Sequence, residues 1–135
     1  MKAFTVYQPY AHAIVAGVKH YETRPRRTNI RGRVAVHAAK KDAWRSGILE
    51  KGIMPEIEAA LSEHQGVGNR AVIGTVEIVD CVPVEEIVDA LTEQEKLWGD
   101  YSPGRFAWVL QNPVMFDKPI PARGKQGWWE WEGVK

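Results

Sequence analysis

The residues best suited to chemistry fall in one octet, Gly17-Val18-Lys19-His20-Tyr21-Glu22-Thr23-Arg24. A helix that ends at Gly17, followed at once by a strand, would project Lys19 from the junction. Strand alternation would then set His20, Glu22 and Arg24 on one face. A carboxylate two residues from a guanidinium stays ionised and oriented, and such a pair can hold a base edge or a ribose. The same pattern suits an edge-strand ion pair that adds little to stability, and the residues alone favour that plainer reading.

A second position is Glu77, a carboxylate inside the apolar run Ala71-Val72-Ile73-Gly74-Thr75-Val76-Glu77-Ile78-Val79. Burying it unpaired would be costly. It must therefore meet a cation such as Arg24 or Lys19, or face a cleft as an acid or base. Gly74, upstream of it, leaves room for another backbone or a ligand to come close. The third feature is aromatic content, with six Trp in 135 residues. In Gly127-Trp128-Trp129-Glu130-Trp131 a strand would place Trp129 and Trp131 on one face and Trp128 on the other. Most Trp belong in cores, so Tyr7, Tyr10, Tyr21 and Tyr101, each beside a polar turn or a basic residue, are the better platforms for stacking bases.

Other site types fail. The four His (His12, His20, His37, His64) lack metal-ligand spacing, and the single Cys81 cannot complete a zinc set. No nucleophile elbow, P-loop or dinucleotide fingerprint occurs. Neither a cofactor nor a metal is expected.

The elements that must position these residues read as follows. Ala3–Tyr7 suits a short strand, and Pro9 opens a helix running to Gly17. Lys19–Arg24 reads as a strand, Arg26–Arg31 as a polar turn and Arg33–Ala38 as another strand. Asp42 and Pro55 suit helix starts, with Gly66–Asn69 as a break. Ala71–Val82 is the strongest strand, ended by Pro83. Thr92 with Glu95 forms a capping box for a short helix ending near Trp98-Gly99. Phe106–Leu110, Val114–Phe116 and Trp128–Trp131 complete the strands. Without regular helical crossovers, a mixed or barrel-like sheet with inserted helices fits better than a doubly wound one.

At 135 residues, 44% of them apolar, the chain suits one domain spanning 1–135. No apolar run is long enough to cross a membrane, the N-terminus does not read as a signal peptide, and a lone Cys suits a reducing cytoplasm. The net charge of +1 hides a division. Residues 19–45 carry nine basic and two acidic side chains, whereas residues 50–100 carry twelve acidic and three basic ones. The basic segment, mostly Arg, could gather phosphates, or the two segments could neutralise each other.

Taken together, Tyr7-Gln8-Pro9-Tyr10-Ala11, Gly17-Val18-Lys19, Glu22-Thr23-Arg24, and Arg31-Gly32-Arg33 leading into His37-Ala38-Ala39-Lys40 resemble the ASCH domain family. Gly74-Thr75-Val76-Glu77 and Gly104-Arg105-Phe106-Ala107-Trp108 extend the resemblance over nearly the whole chain. It implies an α+β fold, a PUA-like small mixed β-barrel with flanking helices, and a ligand cleft beside the helix–strand junction. Family members are linked to RNA binding, coactivator function and, in some cases, catalysis. One branch hydrolyses N4-acetylcytidine with a Lys, a Thr and a Glu. Its Lys falls on Lys19, its Glu on Glu77, and its Thr on Glu22, which has no hydroxyl.

The resemblance leads first to a binding module for single-stranded RNA or a modified nucleotide, since base edges and faces must be exposed. In it Lys19, Arg24, Arg31, Arg33 and Lys40 contact phosphate or ribose, Glu22 accepts from a base edge, and Tyr10 or Tyr21 stacks. The alternative is a metal-independent ribonuclease or amidohydrolase with Lys19, Glu22 and Glu77 as its catalytic set. A third reading is a protein-interaction domain using the acidic segment, with its protein partner open.

Overall fold

The computed structural model describes residues 1–42 and 70–133, without the side chains of 40–42. The expected helix from Pro55, the break at Gly66–Asn69 and the side chain of Lys40 lie outside the described residues. Asp42 is the last residue of a strand, and the helix it was expected to cap also lies outside the described residues.

Among the described residues, six strands form one mixed sheet. They are β1 (Lys2–Gln8), β2 (Tyr21–Arg24), β3 (Gly32–Asp42), β4 (Ala71–Pro83), β5 (Phe106–Pro121) and β6 (Trp129–Glu130), in the order β2-β5-β4-β3-β1-β6. Of these described strands only β1 and β3 run parallel; every other neighbouring pair is antiparallel. Helix α1 (Tyr10–Val15) follows β1, and helix α2 (Glu93–Leu97) follows two 3-10 turns after β4. Alternation along the strands builds apolar layers on both faces. Phe4, Val6, Val34, Val36, Val76, Ile78, Trp108 and Leu110 meet Ile14 and Val15 of α1, while Ala3, Ala35, Val72 and Trp129 form a smaller cluster. Trp128 stacks on Trp108 in the first layer, and Trp131 packs in the second with Trp129, so the three divide between faces as strand geometry requires.

The sheet is open where a closed barrel was expected. Its terminal strands β2 and β6 span only four and two residues, and no backbone ladder joins them. A side chain spans part of the gap instead: Arg24 Nη2 on β2 donates to the Thr5 carbonyl on β1 at 3.0 Å.

The two strands expected at 106–110 and 114–116 are one. Thr75 opposes Val114 and Glu77 opposes Gln111, so Asn112 and Pro113 together face only Val76. This bulge accommodates a residue that cannot donate to the ladder, and Asn112 takes the left-handed conformation (φ 52°) that Asn tolerates. At Gly74, a Cβ would collide with the Val114 carbonyl oxygen and lie 2.8 Å from Val15 Cγ1. Gly74→Ala must push β5 or α1 outward and is expected to cost about 3 kcal/mol, measurable by urea denaturation.

Candidate functional site

The junction that delivers Lys19 is a helix stop with defined hydrogen bonds. Gly17 takes φ +83°, Gly17 N donates to Ile14 O, and Val18 N donates to Ala13 O. This is the Schellman pattern, which an L side chain at Gly17 would strain. Lys19 N also bonds Ala13 O, turning the side chain inward until the residue is 2% exposed.

There the Lys19 ammonium donates to Tyr21 O and, at 2.8 Å, to Trp98 O, and lies 3.6 Å from Glu22 Oε1. Burial pushes its pKa down, while the Glu22 and Glu95 charges pull it back up. The other Glu22 oxygen accepts from Arg24 Nε at 2.8 Å. The Arg24 guanidinium in turn lies over the Trp108 ring, 5.4 Å from its centroid. The Glu22–Arg24 pair is therefore buried at its carboxylate end and tied into the core, which an edge-strand surface pair would not be. Tyr10 sits over this centre, 5.9 Å from Lys19 Nζ and edge-on to Trp98. Burial, then the Glu22 charge, raises its phenol pKa. Tyr21 is half-buried beside them and contributes its carbonyl.

Residues 95–105 cover the centre, and their part in it was missed from sequence. Thr92 caps α2 by accepting from Glu95 N at 3.1 Å, half of the expected capping box. The Glu95 carboxylate instead accepts from His20 N, His20 Nδ1 and the Tyr101 hydroxyl. Burial, then the Glu95 charge, drives the Tyr101 pKa well above the usual phenol range. Arg105 ties this segment to β2 through Thr23 O at 3.0 Å. Gly99 fits closely, since a Cβ there would lie 3.4 Å from both Lys19 Nζ and Thr23 Oγ1.

The remaining candidates are elsewhere. Glu77 shares the outer sheet face with its register partner Arg33, and it accepts from Asn112 Nδ2 at 3.0 Å. Val76 and Ile78 alternate with it into the core beneath α1. No hydrogen bond or ion pair joins Glu77 to Lys19. Arg33 donates to Thr75 Oγ1 at 2.8 Å, and Arg31 donates to Thr28 O and Ile30 O near Asp80.

A larger groove, about 850 Å³, begins at Arg24. Arg24, Arg26, Arg70, Arg123 and Lys125 line it together with Tyr7, and none of its described lining residues is a carboxylate. Arg26, Arg70, Arg123 and Lys125 make no ion pair with a described residue. One wall is the 122–127 segment, held by His37 Nε2 donating to Ala122 O (2.7 Å) and Thr5 Oγ1 donating to Lys125 O (3.1 Å). Gly124 permits that approach, since a Cβ would strike the His37 ring and lie 2.8 Å from Thr5 Oγ1. The signal in Arg123-Gly124-Lys125-Gln126-Gly127, two cations between small residues, was present in the sequence but not read.

Burial lowers the His37 pKa against the opposing effect of the Ala122 carbonyl. A depressed folded-state pKa means that the unfolded chain binds the proton first. The His37 contribution to stability is thus complete above about pH 6.5 and is lost as pH falls toward its lower folded value. Urea titrations at pH 7.5 and 5.5 should show a smaller acid-side loss in His37→Gln than in the parent protein.

Among the described residues no cluster of His, Cys, Asp or Glu could hold a metal ion, and no helix is long and apolar enough to cross a membrane. No curated protein sequence matches the chain. Its fold is similar to the crystal structure of ASCH from Zymomonas mobilis, at 18% identity and a TM-score of 0.53, over 89% of this chain and 72% of that one. A point mutant of the same Zymomonas mobilis protein gives 18% identity and a TM-score of 0.53, with 89% and 74% covered. The ASCH domain profile itself matches residues 4–120, from within β1 almost to the end of β5 and including the whole Lys19 centre. The chain belongs to the ASCH domain family.

Proposed function

We propose that this ASCH domain binds single-stranded nucleic acid, RNA in preference to duplex DNA, with the phosphate chain in the groove that starts at Arg24. The observation supporting this reading is the groove's lining of five cations with no carboxylate among the described residues. A concave surface of one sign focuses its field on phosphates even when the protein's net charge is only +1. Tyr7, 42% exposed at the groove wall, is the stacking surface for a base. The buried Lys19–Glu22–Arg24 centre holds the Arg24 end of the groove in place, and Lys19 itself does not reach phosphate.

Fluorescence anisotropy with a short single-stranded RNA tests the reading. Affinity should fall steeply between 50 and 200 mM salt, and equal-length duplex DNA should compete poorly. Affinity independent of salt would remove phosphate contacts as its basis.

A further inference from the structure

The hydrogen bonds beneath the groove wall are one proton short. Thr5 Oγ1 lies 3.1 Å from Lys125 O, 3.3 Å from Trp129 Nε1 and 3.2 Å from His37 Nδ1. The indole N–H donates to Thr5, and the Lys125 carbonyl can only accept. On the far side of the ring, His37 Nε2 donates its proton to Ala122 O at 2.7 Å. In a neutral His37, Nδ1 is therefore a second acceptor, and the single hydroxyl proton of Thr5 cannot serve both it and Lys125 O. A proton on Nδ1 completes the set. Nδ1 then donates to Thr5, Thr5 donates to Lys125 O, and the two Thr5 lone pairs receive the indole and the imidazolium. Burial works against that extra charge. His37 is 2% exposed, yet its ring belongs to the groove lining. The charged groups around it are Arg24 from β2, Arg26 from the turn that follows, Arg70 beside β4, and Arg123 and Lys125 from the wall, with the Tyr7 phenol from β1. On β6, Glu130 is engaged by Lys2 and the N-terminus. A protonated ring there has no described carboxylate in the groove to balance it, and a bound phosphate would supply the missing negative charge.

We infer that His37 couples a proton to phosphate binding in this groove, so that nucleic acid is held more tightly as the medium turns acidic. This rests on the nucleic-acid reading above. Nδ1 takes one proton from solvent as the phosphate chain enters, and no covalent bond to the ligand forms or breaks. The imidazolium adds a positive charge to the five cations of the groove. Its bonds to Ala122 O and, through Thr5, to Lys125 O clamp the wall that carries Arg123 and Lys125. Gly124 lets the wall close on the ring, since a Cβ there would collide with it. The coupling is reciprocal: bound phosphate raises the proton affinity of His37 by the same factor as the proton raises the affinity for phosphate.

The experiment uses the full chain and a short oligouridylate with hydroxyl ends, which carries no group that titrates between pH 5.5 and 7.5. Anisotropy at fixed salt should show affinity rising about 10-fold from pH 7.5 to 5.5. Ring 15N shifts of His37, followed against pH with and without RNA, should show its pKa rising in the complex. His37→Gln keeps a side-chain donor for Ala122 O but cannot gain a proton, so its affinities at the two pH values should agree within about two-fold. His12, His20 and His64 remain in that variant, and a full pH dependence surviving in it would overturn the assignment to His37. The ring titration needs no variant. An unchanged His37 pKa in the complex, or equal parent affinity at both pH values, would overturn the coupling and leave the groove reading intact. Absence of RNA binding at either pH would defeat that reading and this one together.

Discussion

Lys19→Met should destabilise the protein by about 3–5 kcal/mol, the usual penalty for removing one partner of a buried pair. Methionine nearly preserves the volume, so the loss is polar in origin. The carbonyls of Tyr21 and Trp98 lose their ammonium donor, and Glu22 keeps only Arg24. The strut between the start of β2 and the segment after α2 is removed with them. Urea denaturation should show the loss directly, and the melting temperature should fall by roughly 10–20 °C. RNA affinity measured where the variant is still folded should change only a few-fold. That outcome separates a structural lysine from one that contacts phosphate, as the motif resemblance suggested. A stable Lys19→Met protein unable to bind RNA would restore Lys19 to the binding surface.

The other large effect belongs to the groove. Replacing Arg26, Arg123 and Lys125 together with alanine removes three exposed cations that pair with no described carboxylate, so stability should change by less than about 1 kcal/mol. RNA affinity should nevertheless fall roughly 100-fold at 100 mM salt, and the slope of log affinity against log salt should become shallower by about 2, near 0.7 for each lost phosphate contact. The same substitutions at Arg31 and Arg33, which bond to Thr28, Ile30 and Thr75, should have much smaller effects. Anisotropy over a salt series checks both sets.

Local signals in the sequence proved sound where a turn or an alternation determines the outcome. Gly17 ends α1, Glu22 and Arg24 meet on β2, and Trp128 separates from Trp129 and Trp131. The signals misled where tertiary context decides. Phe106–Leu110 and Val114–Phe116 read as two strands, yet a bulge at Asn112-Pro113 carries β5 through both. Glu95 reads as a capping-box residue, yet its carboxylate turns to His20 because burial there offers three donors. The run of basic residues in the first third of the chain is not one surface. Arg31 approaches Asp80, Arg33 lies opposite Glu77, and of the run's described side chains only Arg24 and Arg26 line the groove. Its other described cations, Arg70, Arg123 and Lys125, come from distant stretches that the sheet order brings together; Arg123 and Lys125 stand out locally, but their meeting with Arg24, Arg26 and Arg70 does not follow from any linear charge pattern.

The most direct test of the groove as the nucleic-acid interface is a titration of 15N-labelled protein with short single-stranded RNA, followed residue by residue by NMR. The largest shifts should fall on Tyr7, Arg24, Arg26, Arg70 and the 123–127 segment. Shifts confined to Arg33, Thr75 and Glu77 on the outer face of β3 and β4, or no shifts at all, would contradict it.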